Sequence, residues 1–456
     1  MPTVAFHTLG CKVNQGETAA MAHLFQEAGY ELVGFSAAAD IYIINTCAVT
    51  VQAEQKSRQL ARRARQRNRQ AMVVMVGCYP QVAQGRGELP TDIDLLVGSA
   101  DKPRIVELVE RARQASSPLI AVSDWSSETS FEMISASQEV GRTRATLKVQ
   151  DGCQQFCSYC IIPYARGPER SRPLADVVRE ATDLVQSGFQ EIVVTGIHVG
   201  NYGRDLPGQP DLACLFEHLL QVPGLRRLRL SSIEPNEITE SLLELMQKYP
   251  NFCRHLHIPL QAGQDRVLKA MNRRYDTKDY RRIIDLVRSY MPEIAITTDV
   301  IVGFPGETDE EFAATYSFVE SIAFSRLHVF RYSRRPGTPA ASLPKQVPKE
   351  EKTRRSRALI SLGERLSREF ALGLVGTEQE VLWENQDDDG IWTGHTDTYV
   401  TVHSDAPNLR SNLITSALIK ENPTTPAATT KADVVAWIKA QGGLPPRSRI
   451  TFGRVE

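Results

Sequence analysis

Short apolar runs alternate with helical periodicity through the first hundred residues. TVAFHTL (3–9), IYIINT (41–46), MVVMVG (72–77) and DLLVG (94–98) read as strands, and 15–29 and 51–69 as helices. That order predicts a parallel sheet with helices on its faces. Ligands in such sheets gather at the carboxyl ends of the strands. Cys11 follows the first strand, Cys47 ends the second and Cys78 ends the third, so three cysteines distant in sequence are expected to meet on one edge.

From ATLKVQ (145–150) the alternation resumes. Strands are predicted at EIVVTG (191–196), LRRLRLSS (225–232), HLHIPL (255–260), IAITTDVIVG (294–303) and SRLHVFRY (325–332), with helices between them, as at 174–187 and 307–321. Six such repeats suit a partial (β/α) barrel or an open α/β sheet. His255, His257 and Gln261 share one face, opposite Leu256, Ile258 and Leu260, and Thr297 and Asp299 oppose Ile296, Val300 and Val302. One apolar face for the helices and one polar face predict a wet interior able to hold a substrate. Irregular packing with satisfied polar groups is the alternative. A charged helix at about 348–372 precedes GTEQEVLWEN, GIWTGHTDTYVTVHSD and NLITSALIKE, which read as strands of a small β domain. The polar stretch 123–144 reads as a connection, NPTTPAATT as a linker and ADVVAWIKAQ as a helix; the tail has no functional reading.

A length of 456 residues allows two or three domains. With a formal net charge of −1, nucleic-acid binding must come from local patches. Seven lysines and arginines lie between Lys56 and Arg69 with no acid among them, RYSRRPGTP (331–339) is basic, and arginines follow Cys160. A solvated helix face is the competing reading of 56–69. MPTVAFHTLGCKVN has neither a basic start nor a secretory apolar core, and no apolar run approaches membrane-spanning length, so a soluble cytoplasmic protein is expected.

Eight cysteines are too few for a disulfide scaffold, and their clustering points to metal or redox chemistry in a reducing compartment. Cys153, Cys157 and Cys160 have C-x3-C-x2-C spacing in DGCQQFCSYCIIPYARG. An iron–sulfur cube takes up to four thiolates, and three leave one iron open. Structural zinc needs a fourth ligand, and His198 lies well beyond finger spacing. Cys214 and Cys253 read as core cysteines. On spacing alone, Cys11, Cys47 and Cys78 read equally as buried structural cysteines.

The C-x3-C-x2-C motif, with Tyr159 before its last cysteine, resembles the radical S-adenosylmethionine superfamily. TLGCKVNQ, INTCAVT, VVMVGCYPQ, SSIEP, HLHIPLQAGQD, MNRRY and TDVIVGFPGETDEEF extend the resemblance to its methylthiotransferases over about residues 1–420. TLGCKVNQ is most like the branch acting on N6-threonylcarbamoyladenosine in tRNA; the isopentenyladenosine branch typically shows YGCQMN, and the branch acting on a ribosomal-protein aspartate shows LGCPKN. QAGQD departs from the family's usual QSGSD or QSGSN. The resemblance implies a Rossmann-like parallel-sheet domain (1–122), a linker (123–144), a partial radical S-adenosylmethionine barrel (145–345), a connecting helix (346–373) and a TRAM-like RNA-binding β-barrel (374–422), leaving 423–456 without a role.

It also implies two [4Fe–4S] clusters. Cys153, Cys157 and Cys160 would hold the one that cleaves S-adenosylmethionine; Cys11, Cys47 and Cys78 would hold the one that presents sulfur. Tyr159 would lie near the adenine of S-adenosylmethionine, Gly196 and Gly303 would let backbone approach the nucleoside, and Glu234 and Asp299 are polar candidates. The implied partners are the tRNA anticodon stem-loop, a low-potential donor such as flavodoxin or ferredoxin, and a sulfur donor. A non-catalytic iron–sulfur or zinc protein that binds RNA is the reading from another class.

Overall fold

The computed structural model describes residues 1–87, 92–125, 131 and 143–421, with the backbone of 434–437. Most of the connection at 123–144 and of the tail at 423–456 lies outside the described residues.

Strands β1 (Thr3–Thr8), β2 (Glu31–Val33), β3 (Ile41–Thr46), β4 (Met72–Gly77), β5 (Leu95–Val97) and β6 (Leu119–Ala121) form a parallel sheet in the order β2-β1-β3-β4-β5-β6. Helices α1 (Lys12–Glu27), α2 (Val51–Arg67), α3 (Cys78–Gly85) and α4 (Ile105–Gln114) alternate with the strands. Every residue of β3 is buried, because apolar layers cover both faces: Ile41 and Ile43 pack with Phe25 and Leu108, and Tyr42 and Ile44 with Ala61 and Ala64. The cysteine-bearing strands β1, β3 and β4 are neighbours.

The second body begins with β7 (Arg144–Lys148) and the short hairpin β8 (Gln150–Asp151) and β9 (Arg170–Ser171). It continues through β10 (Glu191–Thr195), β11 (Arg227–Leu230), β12 (His255–His257), β13 (Ala295–Val302) and β14 (Arg326–Arg331). Two parallel triplets, β7-β10-β11 and β12-β13-β14, are joined by parallel bridges at Leu228–Phe252 and Ser232–His257. The result is an open, curved six-stranded barrel with its main apolar core between strands and outer helices. The expected strand at 255–260 stops at His257, where Pro259 cannot donate to a ladder. On the open side α1 lies against β7: Glu17 of α1 pairs with Lys148 at 2.9 Å.

A third body, β15 (Glu378–Gln386), β16 (Trp392–Thr396), β17 (Thr401–Ser404), β18 (Leu413–Glu421) and β19 (Val434–Trp437), is a closed barrel around buried Trp383, whose indole N–H donates to Thr415. The helical reading of ADVVAWIKAQ is corrected here. VVAW pairs antiparallel with β18, its β-branched and aromatic residues outweighing the helix formers around them. This barrel meets the amino ends of the central strands: Arg227 and Arg229 donate to the carbonyls of His395 (3.1 Å) and Asp397 (2.6 Å).

Candidate functional site

The first cysteine trio sits at the ends of three neighbouring strands, two of them tied by one asparagine. Asn14 Nδ2 donates to the carbonyls of Leu9 (2.8 Å) and Thr46 (2.9 Å). Gly10 has φ +116°, and a Cβ there would lie 3.0 Å from Cys47 Cβ, so the β1 and β3 ends approach only because this residue is glycine. Cys11 caps α1 and remains accessible, while Cys78 opens α3 and is buried. The Val49 N–H donates to Cys47 Sγ at 3.4 Å. Burial, then Cys78, pushes the Cys47 thiol up to about 12, and burial raises Cys11. Three thiols so placed repel one another as thiolates and need a cation to hold them deprotonated.

The second trio lies on the loop between β8 and α5 (Ile162–Arg166). Backbone N–H groups of Gln155 and Ile162 donate to Cys153 Sγ (3.5 Å) and Cys160 Sγ (3.4 Å), and Arg273 Nη1 donates to Cys157 Sγ (3.3 Å). Arg273 also pairs with Glu234. Burial pushes Cys160 up to about 12. A Cys153 sulfur, a Glu169 carboxylate oxygen and a His198 ring nitrogen all lie within 4.8 Å of one another. Burial lowers the His198 pKa, but Cys153, Glu169 and Glu237 raise it overall.

Arg166 joins the trios. Fully buried, it donates from Nε to Cys78 Sγ (3.3 Å) and from Nη2 to Asn14 Oδ1 (2.7 Å), and pairs with Glu17 and with Asp151 (3.0 Å). Ile161, next to Cys160, packs with Ala48, Cys78, Val82 and Ala165 in one apolar cluster. Cys78 of the first trio and the Cys160 end of the second therefore meet at the seam between the first sheet and the barrel.

The other sequence candidates are spread along the barrel. Tyr159 is half-buried against the main core, its hydroxyl pKa raised by burial. A Cβ on Gly196 would lie 3.0 Å from Gln150, whose Oε1 accepts the His198 N–H (2.7 Å), placing Gly196 beside the second trio. Asp299 pairs with His257 Nε2 (3.3 Å), and His257 Nδ1 meets Thr297 Oγ1 (2.9 Å). Gly303, at φ +72°, lies under the Lys352 side chain, and its N–H donates to Glu307 (2.6 Å). Cys253 is buried, but Cys214 is half-buried on the helix Leu212–Leu220 and so is not a full core residue. Arg273 and Asn14 escape sequence reasoning, although MNRRY and CKVNQ contain them; His198, set aside on spacing, lies beside Cys153, and Arg166 is one of the arginines read as an RNA patch.

The basic run after Cys160 is also corrected. Arg166, Arg170 and Arg172 are buried, Arg172 against Glu180 (2.5 Å), and Arg335 is buried against Glu54. They hold the fold rather than face RNA. Lys56, Arg58, Arg62, Arg63, Arg67 and Arg69 are exposed, while Arg65 turns to Asp94 (2.7 Å).

Residues 3–98 match Uncharacterized protein family UPF0004, and residues 147–319 match the Radical SAM superfamily. Threonylcarbamoyladenosine tRNA methylthiotransferase MtaB of Bacillus subtilis (strain 168) is 41% identical over 88% of this chain and 90% of its own length. The chain belongs to the radical S-adenosylmethionine methylthiotransferases. The MtaB of Thermotoga maritima is 38% identical over 88% of this methylthiotransferase and 91% of its own length. tRNA-2-methylthio-N(6)-dimethylallyladenosine synthase of Acetivibrio thermocellus is 34% identical over 86% and 82%. The radical S-adenosylmethionine methyltransferase TsrM of Kitasatospora setae shares the fold, with a TM-score of 0.52, 16% identity and 75% of each chain covered.

The cofactors of this methylthiotransferase are S-adenosylmethionine and iron–sulfur. The donor chemistry fits. Each trio offers three thiols, N–H donors reach five of the six sulfurs, and the buried cation Arg166 or Arg273 touches one sulfur in each. Among the described residues no helix is long and apolar enough to cross a membrane.

Proposed function

We propose that this methylthiotransferase converts N6-threonylcarbamoyladenosine, next to the anticodon at position 37 of tRNA, to its 2-methylthio derivative. The observation that supports the reading is Arg166, which follows the second trio in the chain, donates to Cys78 of the first and pairs with Glu17 and Asp151. Cys153, Cys157 and Cys160 hold one [4Fe–4S] cluster and Cys11, Cys47 and Cys78 a second. When bound, these groups and S-adenosylmethionine supply the one-electron chemistry, the sulfur and the methyl group that the transfer needs.

The chain's own residues supply placement. N–H donors at Gln155 and Ile162 and the Arg273 guanidinium stabilise the second trio as thiolates. Tyr159, Gly196 and Glu234 border that trio and receive S-adenosylmethionine, while Asp299 pairs with His257 further along and Gly303 is covered by Lys352. Ala48, Val82, Ile161 and Ala165 keep water from Cys78. His255, His257, Thr297 and Asp299 give a base polar partners inside the barrel. A splayed anticodon-loop base can reach them, as recognition of single-stranded RNA requires. The basic face of α2 and the closed C-terminal barrel contact the tRNA. A groove of about 560 Å³ beside Cys153, lined by Trp125, Phe156 and Tyr164, gives an external electron donor such as flavodoxin or ferredoxin its approach. A separate sulfur donor completes the set in the cytoplasm.

The test is nucleoside mass spectrometry of tRNA treated with reconstituted protein, S-adenosylmethionine, reductant and sulfide. The 2-methylthio nucleoside is expected from wild type and not from Cys157→Ala. Product from Cys157→Ala, or turnover confined to isopentenyladenosine tRNA or to a ribosomal-protein aspartate, overturns the reading.

A further inference from the structure

Lys12 follows Cys11 at the start of α1, and its side chain crosses from the first sheet toward the third body. Its Nζ lies 5.8 Å from the ring centroid of Tyr399, on the turn between β16 and β17. Tyr399 is itself held at φ 67°. Two more cations share that ring: the Arg229 and Arg144 guanidinium carbons lie 4.0 and 5.0 Å from the centroid, and Arg144 donates to the Tyr399 hydroxyl.

The three cations differ in one respect. Arg229 is neutralised by Glu191 at 2.6 Å, and Arg144 by Glu384 at 3.0 Å. Lys12 forms no ion pair among the described residues, although two guanidinium groups share its aromatic partner. The Tyr399 ring that Lys12 approaches also meets the His255 ring of β12, with centroids 5.0 Å apart, which brings Lys12 near the barrel strands.

We propose that Lys12, backed by Arg144 and Arg229, receives the carboxylate of the threonyl group carried on N6 of the substrate adenine. This rests on the threonylcarbamoyladenosine reading above. N6 and C2 lie on the same edge of adenine. A base that presents C2 to the trio containing Cys11 therefore carries its N6 substituent toward the neighbouring residue. A dimethylallyl substituent is a hydrocarbon and has no use for a cation there. A phosphate of the tRNA backbone shares the anionic chemistry, and the experiment separates the two.

Equilibrium binding is measured by fluorescence anisotropy with three labelled anticodon stem-loops: one with threonylcarbamoyladenosine, one with the same group as its carboxamide, and one with unmodified adenosine. Wild type binds the carboxylate form roughly 10- to 100-fold tighter than the carboxamide, the range of one charge-assisted hydrogen bond. Lys12→Met abolishes that preference and leaves carboxamide affinity unchanged, and Lys12→Arg retains most of it. A preference that survives in Lys12→Met, or is absent in wild type, overturns the proposal. An equal loss for all three stem-loops assigns Lys12 to phosphate and also overturns it. Thermal unfolding of Lys12→Met at the wild-type temperature shows that the side chain and not the fold was removed. Nucleoside mass spectrometry of wild-type product judges the parent reading separately.

Discussion

Arg166 is the residue on which the seam depends. Its guanidinium, Lys102 and Lys148 surround the carboxylates of Glu17 and Asp151, with Lys102 Nζ 2.6 Å from Glu17 and Lys148 Nζ 2.6 Å from Asp151. With Arg170 at 3.7 Å from Asp151, four cations on two carboxylates leave positive charge beside Cys78, where thiolates gather. Removing the guanidinium leaves Glu17 to Lys102 and Lys148 and Asp151 to Lys148 and Arg170, but it breaks two buried ion pairs, a change that costs about 3–5 kcal/mol. Arg166→Met is expected to lose that much by urea unfolding, and Arg166→Lys clearly less. A loss below about 1 kcal/mol in Arg166→Met would show the network to be dispensable. Glu191 gives a pH-dependent counterpart. Burial would raise its carboxyl, but Arg229 and then Arg227 hold it down to about 2 against an ordinary 4.5. A depressed carboxylate contributes stability that is complete above 4.5 and fades as pH falls toward 2. Between about pH 6 and roughly pH 3 wild type should therefore lose more unfolding free energy than Glu191→Gln, which starts lower. Parallel losses would contradict the pairing.

At the scale of elements, α2 is the clearest external surface. Its cations point outward except Arg65, so it has charge to spare for phosphate. Replacing Lys56, Arg62 and Arg63 with Gln should weaken tRNA binding and lower the slope of log affinity against log salt by about 2 to 3. Stability should stay within about 0.5 kcal/mol, since no buried partner is lost. An unchanged slope would make this face merely solvated. Elements also show where the sequence was readable. β1, β3 and β4 are six-residue, almost wholly apolar or β-branched runs, and the sheet and its cysteine-bearing ends follow from them. β2 and β6 carry no such signal, being three-residue edge strands that are largely exposed. The basic run after Cys160 misleads because composition reports charge but not burial. Arg166, Arg170 and Arg172 are drawn inward by Asp151 and Glu180, whose proximity only the fold creates. Arg273 was equally hidden: nothing in MNRRY says that one of its arginines reaches Cys157.

Across the whole molecule, the gap of a six-stranded barrel is what makes the two trios a pair. A closed barrel would leave no side on which α1 could lie against β7, and the first sheet would have to dock elsewhere. Because it docks there, Cys78 meets Arg166 of the second body and Lys12 meets Tyr399 of the third. The trios remain separable, since each has its own loops and its own donors. Cys11, Cys47 and Cys78 replaced together by Ala should lower iron from about eight to about four per chain. The variant should still cleave S-adenosylmethionine to 5′-deoxyadenosine under reductant, yet release no methylthiolated nucleoside. The reciprocal variant at Cys153, Cys157 and Cys160 should also retain about four irons, but lose both cleavage and product. Iron assay and chromatography of both variants decide the matter. Methylthiolated product from the first variant would mean that sulfur reaches the base without the N-terminal trio.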